Sequence, residues 1–169
     1  INRINRINRI NSIYSIHSIN RNKILDTTLN LKLLNFKLKN KLMKKQIINS
    51  PNATAPIGPY NHSVQFGNLL FTSGQIALDL NGNLVNDNIE NETHQVFKNL
   101  KAILKASTLN FEHVLKVSIF LKNMDDFQNV NSVYASYFEA DTAPARETVQ
   151  VAKLPKDVNI EISLIAGKS

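Results

Sequence analysis

The chain has 169 residues, with 20 Lys and Arg against 13 Asp and Glu, four His and no Cys. The missing cysteine excludes disulfides, thiolate metal sites and a cysteine nucleophile. A net charge of +7 would suggest a nucleic-acid or membrane partner, but the charge is unevenly placed. Residues 1–42 hold nine Lys or Arg and only Asp26 as an acid, whereas Met43–Ser169 holds eleven and twelve, a net of −1. The larger part therefore offers no electrostatic footprint for a phosphate backbone.

Residues 1–42 read as a basic extension outside the domain. They contain no Gly and no Pro, and Ile recurs at positions 1, 4, 7, 10, 13, 16 and 19. A period of three matches neither helix nor strand; it does match a translated nucleotide repeat. The first methionine is Met43, so a start there is one reading. A mitochondrial presequence is the other, because the segment is basic, contains Ser and is nearly free of acids. The expected location is cytoplasmic, or mitochondrial if the presequence is genuine. No stretch is long and apolar enough for a membrane-spanning helix.

The expected domain is 43–169, large enough to bury a core unaided. In chain order, 45–49 reads as a short edge strand and 51–60 as a Pro/Gly loop. Residues 62–67 and 69–76 form a hairpin turning at Gly67-Asn68. "DLNGNL" (79–84) is a second turn. Residues 90–107 make the clearest helix, with Val96, Leu100, Ile103 and Leu104 on one face and Lys98, Lys101 and Lys105 on the other. Residues 113–122 alternate as a strand through Leu115, Val117, Ile119 and Leu121. Asp125 or Asp126 can cap a second helix running to about Phe138. Strands 145–152 and 158–166 close the chain. The order βββ-α-β-α-ββ predicts an α+β fold with both helices on one sheet face.

Arg146 is the single arginine after Arg21, in a domain that otherwise uses ten lysines. On a period of two it shares a strand face with Thr148 and Gln150. Glu161 lies opposite the apolar face Val158, Ile160, Ile162 and Leu164. The two residues are expected from neighbouring strands that could share a face. A surface ion pair of a few tenths to about 1 kcal/mol is the plain reading. Three features point elsewhere. Asn131 lies on the apolar stripe of Phe127, Tyr134 and Phe138. "IGPY" (57–60) places Tyr60 in a Pro turn. "TSGQI" (72–76) puts Ser73-Gly74 at the end of an apolar strand, either as a bulge or as a place where a ligand meets the backbone. The histidines have no ligand spacing, and neither GxGxxG nor GxxxxGK[ST] occurs.

"APIGPY", "LLFTSGQIALD", "VFKNLKAIL", "VLKVSIFLKNMDDF", "VNSVYASYF" and "PARETVQVAKLPKDVNIEISLIA", in this order over about 45–167, resemble the RidA/YjgF family of enamine/imine deaminases. The resemblance implies a chorismate-mutase-like fold, a mixed sheet with two helices on one face, and a homotrimer around a central barrel with sites between subunits. It implies hydrolysis of 2-aminoacrylate and 2-iminobutanoate to 2-oxo acids and ammonia, with no cofactor or metal. By position, Arg146 matches the residue that grips the substrate carboxylate and Glu161 the acid beside the attacking water. Tyr60, Ser73, Gly74 and Asn131 match pocket positions. Thr148 stands where many relatives carry Cys, at a position that contributes mainly its carbonyl. The expected partners are small imino acids and two further copies of the chain, with no nucleic acid and no membrane. The alternative within the family is a ligand-binding regulator or chaperone, or an RNA-cleaving translation inhibitor.

The chemistry fits these residues. A guanidinium binds a planar carboxylate bidentately where a lysine cannot. An iminium carbon is already electrophilic, so the remaining need is a positioned water and a base.

Overall fold

A computed structural model describes residues 26–38 and 44–168, so the isoleucine repeat over 1–19 lies outside the described residues. The chain divides into two compact units, one up to Met43 and one from Lys44 onward. In the first, residues 26–38 form a helix (α1). It belongs to the segment read as a basic extension outside the domain. Its Leu- and Lys-rich composition favours a helix locally, a signal that the triplet period further upstream does not carry. Among the described residues, no helix is long and apolar enough to cross a membrane.

The second unit runs β1 (Gln46–Ile48), β2 (Ser63–Phe66), β3 (Leu69–Thr72), α2 (Ile89–Ala106), β4 (Val114–Leu121), α3 (Phe127–Ala135), β5 (Ala145–Gln150) and β6 (Ile160–Gly167), with short 3-10 turns between. This is the predicted order. The six strands make one mixed sheet, β1-β2-β3-β6-β4-β5, in which only β4 and β5 pair in parallel. The β2–β3 turn passes through Gly67 at φ 60°, a value that favours glycine.

Alternation decides which residues the helices cover. Val117, Ile119 and Leu121 of β4 and Ile160, Ile162 and Leu164 of β6 are buried with Leu70, and pack with Val96, Phe97, Leu100 and Leu104 of α2 and Val130, Val133 and Tyr134 of α3. The other sheet face carries Ile47, Phe66, Leu69, Phe71 and Val149, all exposed. Asn88 caps α2 by accepting from the Asn91 N–H at 2.8 Å.

Four boundaries differ from the sequence reading. A register shift between Val114 and Lys116 turns Leu115 out of the core, so Val114 takes the buried position. The second helix stops at Ala135 rather than near Phe138. The Ser136 hydroxyl and N–H both bond the Val133 carbonyl, at 2.6 and 3.0 Å, closing a tighter turn. Asp126 precedes α3 without a side-chain cap bond; Asn123 caps the preceding 3-10 turn instead. Finally, β3 ends at Thr72, and the chain rejoins the sheet at Gln75 through paired backbone bonds with Ile162 of 2.8 and 3.0 Å.

Candidate functional site

The interruption at Ser73-Gly74 shapes a cleft. Ser73 leaves the ladder, its N–H donating to the His62 carbonyl at 2.9 Å and its hydroxyl to the Asn61 carbonyl at 2.7 Å. Gly74 then lies directly against the Glu161 side chain: a Cβ there would fall 1.8 Å from Glu161 Oε1 and 2.7 Å from its Cδ. Only glycine leaves room for the carboxylate in this position. Burial pushes the Glu161 carboxyl above its ordinary value.

Glu161, Ser73, Gly74, Tyr60, Ile57, Ile76 and Pro155 line a cleft of about 390 Å³. Its walls are held by buried polar contacts. His62, 3% exposed, accepts from the Ser50 N–H at 3.0 Å and donates from Nε2 to the Thr54 carbonyl at 2.7 Å, fixing the 50–60 loop. Asn99 of α2 donates to the carbonyls of Ile76 and Leu78 at 3.1 and 2.9 Å. The fully buried Glu92 accepts from the backbone and side-chain N–H groups of Asn159, at 2.8 and 2.7 Å, just before β6. Sequence reasoning missed these three supports, because each bonds backbone distant in the chain.

Arg146, Asn131 and Thr148 form a second group. The Arg146 guanidinium donates from Nη1 to Asn131 Oδ1 at 2.7 Å. Its Cζ lies 4.5 Å from the centre of the Tyr134 ring and 5.8 Å from that of Phe127. Phe127, Asn131 and Tyr134 occur at i, i+4 and i+7 of α3, so one helix face meets the arginine. Thr148 follows on the same strand face, and its buried hydroxyl has no hydrogen-bond partner among the described residues. Among the described residues, no carboxylate pairs with Arg146; the ion pairs are Lys116–Glu147 and Lys122–Asp157.

The expectation that Arg146 and Glu161 sit on neighbouring strands and share a face is overturned. β4 lies between β5 and β6. Arg146 pairs with Val117, whose side chain faces the helices, while Glu161 pairs with Phe120 on the other face. Thr148 and Gln150 likewise share Arg146's face and not that of Glu161. Period-two alternation says which residues travel together, but not which set turns inward: in β5 the more apolar set, with Ala145 and Val149, is the one turned away from the helices. The neighbour of Arg146's face on the opposite side is Glu147, whose carboxyl is held below its ordinary range by hydrogen bonds from Lys116 and Ser118.

The seven residues singled out in the sequence thus separate into two groups within one chain. Tyr60, Ser73, Gly74 and Glu161 line the cleft; Arg146, Asn131 and Thr148 cluster at edge strand β5. Among the described residues, no group of three or more His, Asp or Glu is placed to hold a metal ion.

A six-stranded mixed sheet backed by two helices, with an apolar sheet face exposed and these two groups, defines the RidA/YjgF class of α+β domain. Residues 50–168 match the family described as Endoribonuclease L-PSP, and the chain belongs to that family. It is 47% identical over 125 residues to a RutC family protein of Pyrococcus horikoshii, covering 73% of this chain and 98% of the relative. It is 43% identical to the 2-iminobutanoate/2-iminopropanoate deaminase of Dermatophagoides farinae, covering 72% and 94%. The crystal structure of the Escherichia coli YjgF gene product superposes with a TM-score of 0.69 at 39% identity, over 73% of this chain and 99% of that one. That of E. coli TdcF with bound serine gives 0.69 at 37%, over 73% and 99%.

Proposed function

We propose that this chain hydrolyses 2-imino acids, formed from enamines such as 2-aminoacrylate, to 2-oxo acids and ammonia. The observation that carries the reading is Arg146: a guanidinium fixed by an amide and two rings, with no carboxylate of the described chain as partner. Such a group is suited to a planar substrate carboxylate. A relative named for the deaminase activity and matched over 94% of its length supports the same chemistry, as does a related fold solved with serine bound, an amino acid carrying the same carboxylate.

In this reading Arg146 and Asn131 orient the substrate. Glu161, with its carboxyl raised by burial, takes a proton from water as the water oxygen attacks C2 of the iminium. The tetrahedral carbinolamine then collapses: the C2–N bond breaks, the nitrogen leaves as ammonia after accepting a proton, and the hydroxyl oxygen becomes the 2-oxo group. The balance is iminium plus water to 2-oxo acid plus ammonium. Proximity and charge placement supply the rate.

Because Arg146 and Glu161 lie on opposite sheet faces, the reading requires a second copy of the chain to complete each site, as in the trimer that the family resemblance implies. The exposed apolar face of Ile47, Phe66, Leu69, Phe71 and Val149 is a surface such an assembly would cover.

The test couples a serine/threonine dehydratase to the purified chain and follows decay of the imine and release of ammonia. Acceleration that is lost on changing Arg146 supports the reading. Imine decay at the uncatalysed rate, with cleavage of added RNA, would favour the endoribonuclease activity that the family description names.

A further inference from the structure

We propose that Tyr134 and Phe127 are positioning residues that lock the plane of the Arg146 guanidinium, so that it presents its free edge to a carboxylate. The inference deepens the preceding reading, since it takes Arg146 as the carboxylate-binding group.

An arginine side chain is long, and its planar head can rotate about several bonds. Bidentate recognition needs that plane held before the anion arrives. A single hydrogen bond to Asn131 at 2.7 Å fixes one nitrogen but leaves rotation about it. The Tyr134 ring, with Arg146 Cζ 4.5 Å from its centre, adds a face against which the cation rests; Phe127 at 5.8 Å adds a second aromatic contact. Neither ring is a competing anion, so the guanidinium keeps its capacity for a carboxylate.

Tyr134 is itself packed into the core. It is 7% exposed, and its ring contacts Phe97 at 6.1 Å and Phe138 at 4.6 Å. Among the described residues its buried hydroxyl has no hydrogen-bond partner, Arg146 included, so the contact with Arg146 is made by the ring and not by the hydroxyl. That separates this proposal from a role for Tyr134 as an acid, base or hydrogen-bond donor.

The experiment uses the full chain and two readouts: affinity for 2-oxobutanoate by calorimetry, and rotational averaging of the Arg146 side-chain N–H groups by nitrogen NMR, assigned with Arg146→Lys. Tyr134→Phe should bind as the parent does and keep restricted N–H groups. Tyr134→Leu should weaken binding by about 5- to 30-fold and let the head rotate, the range expected for losing a partly desolvated cation–π contact. Val133→Ala, a change to a buried residue on the same helix, should lower Tm yet leave affinity and N–H rotation unchanged. If Tyr134→Leu does not fold, Phe127→Leu takes its place, with a smaller loss of about 2- to 5-fold.

The proposal is overturned if a folded ring-removal variant binds 2-oxobutanoate as tightly as the parent, or if Tyr134→Phe loses as much as Tyr134→Leu. It also falls if Val133→Ala loosens the guanidinium equally, or if the parent does not bind the probe. Ammonia release by the parent is measured separately, so failure of the deaminase reading is distinguishable from failure of the locked arginine.

Discussion

Arg146 and Glu161 project from opposite faces of one sheet, on strands separated by β4. Arg146 is on edge strand β5, where a second copy of the chain can reach it. Glu161 faces the side on which the helices are absent. No side-chain rotation brings the two together within one chain, because Val117 and Phe120, their partners on β4, point in opposite directions.

If the site forms between copies, inactive chains should complement each other. Arg146→Ala and Glu161→Ala should each be inactive alone. Randomly mixed in equal amounts and reassembled, they should recover about a quarter of the parent activity, because three-quarters of such trimers would hold one intact site in three. Light scattering of the parent at micromolar concentration should give a trimer mass. A mixture that stays inactive, or a monomeric mass, would contradict the shared site.

Arg146→Lys keeps the charge and loses the planar fork. It should cost on the order of 2–5 kcal/mol in kcat/KM, tens- to thousands-fold, if the site is desolvated when occupied. The fold should persist, since Arg146 is only half-buried and lies at a sheet edge. Ammonia release as fast as the parent's would return Arg146 to the status of a structural cation.

Glu161→Gln should separate activity from stability. Turnover should fall while 2-oxobutanoate binding survives, since shape is kept and the base is lost. Burial raises the Glu161 carboxyl above 4.5 in the folded chain. The protonated form is therefore the better tolerated one, and the carboxylate destabilises the fold once pH exceeds the raised value. Below the ordinary glutamate range both states are protonated and the substitution should be nearly neutral. As pH rises through the raised value the parent should lose stability relative to Glu161→Gln, so the Tm difference should grow from acid to neutral pH. A difference that is flat with pH would show that burial does not control this group.

Gly74→Ala should move Glu161 and little else. Gly74 is not among the positive-φ glycines, and the three atoms nearest its Cβ position, from 1.8 Å, belong to the Glu161 side chain. The carboxylate can swing into the cleft, so Tm should change modestly while turnover drops as far as in Glu161→Gln. Full activity in Gly74→Ala would mean that the carboxylate position is not critical.

A chain beginning at Met43 should match the full chain in Tm and activity. The unit from Lys44 has its own core, and the family match begins at residue 50. Loss of assembly or turnover on truncation would assign residues 1–42 a role.

The sequence alone determined what depends on local periodicity and turn chemistry. The 3.6 period of Val96, Leu100, Ile103 and Leu104 specified α2, and Gly67-Asn68 between two apolar runs specified the hairpin. A single arginine among lysines, and Asn131 on an apolar helix stripe, marked the arginine group before any contact was known; Phe127 and Tyr134 were on that same stripe. Only the tertiary structure decided which strand neighbours which, and therefore which face Arg146 occupies. β5 pairs in parallel with β4 after a crossover through α3, a long-range choice set by packing of that helix and not by the polar pattern of β5 itself. The same limit hid the supports of His62, Glu92 and Asn99, whose partners are backbone groups of distant segments. The division of the seven residues into a cleft and an edge cluster followed from sheet order, and sheet order is a property of the whole core.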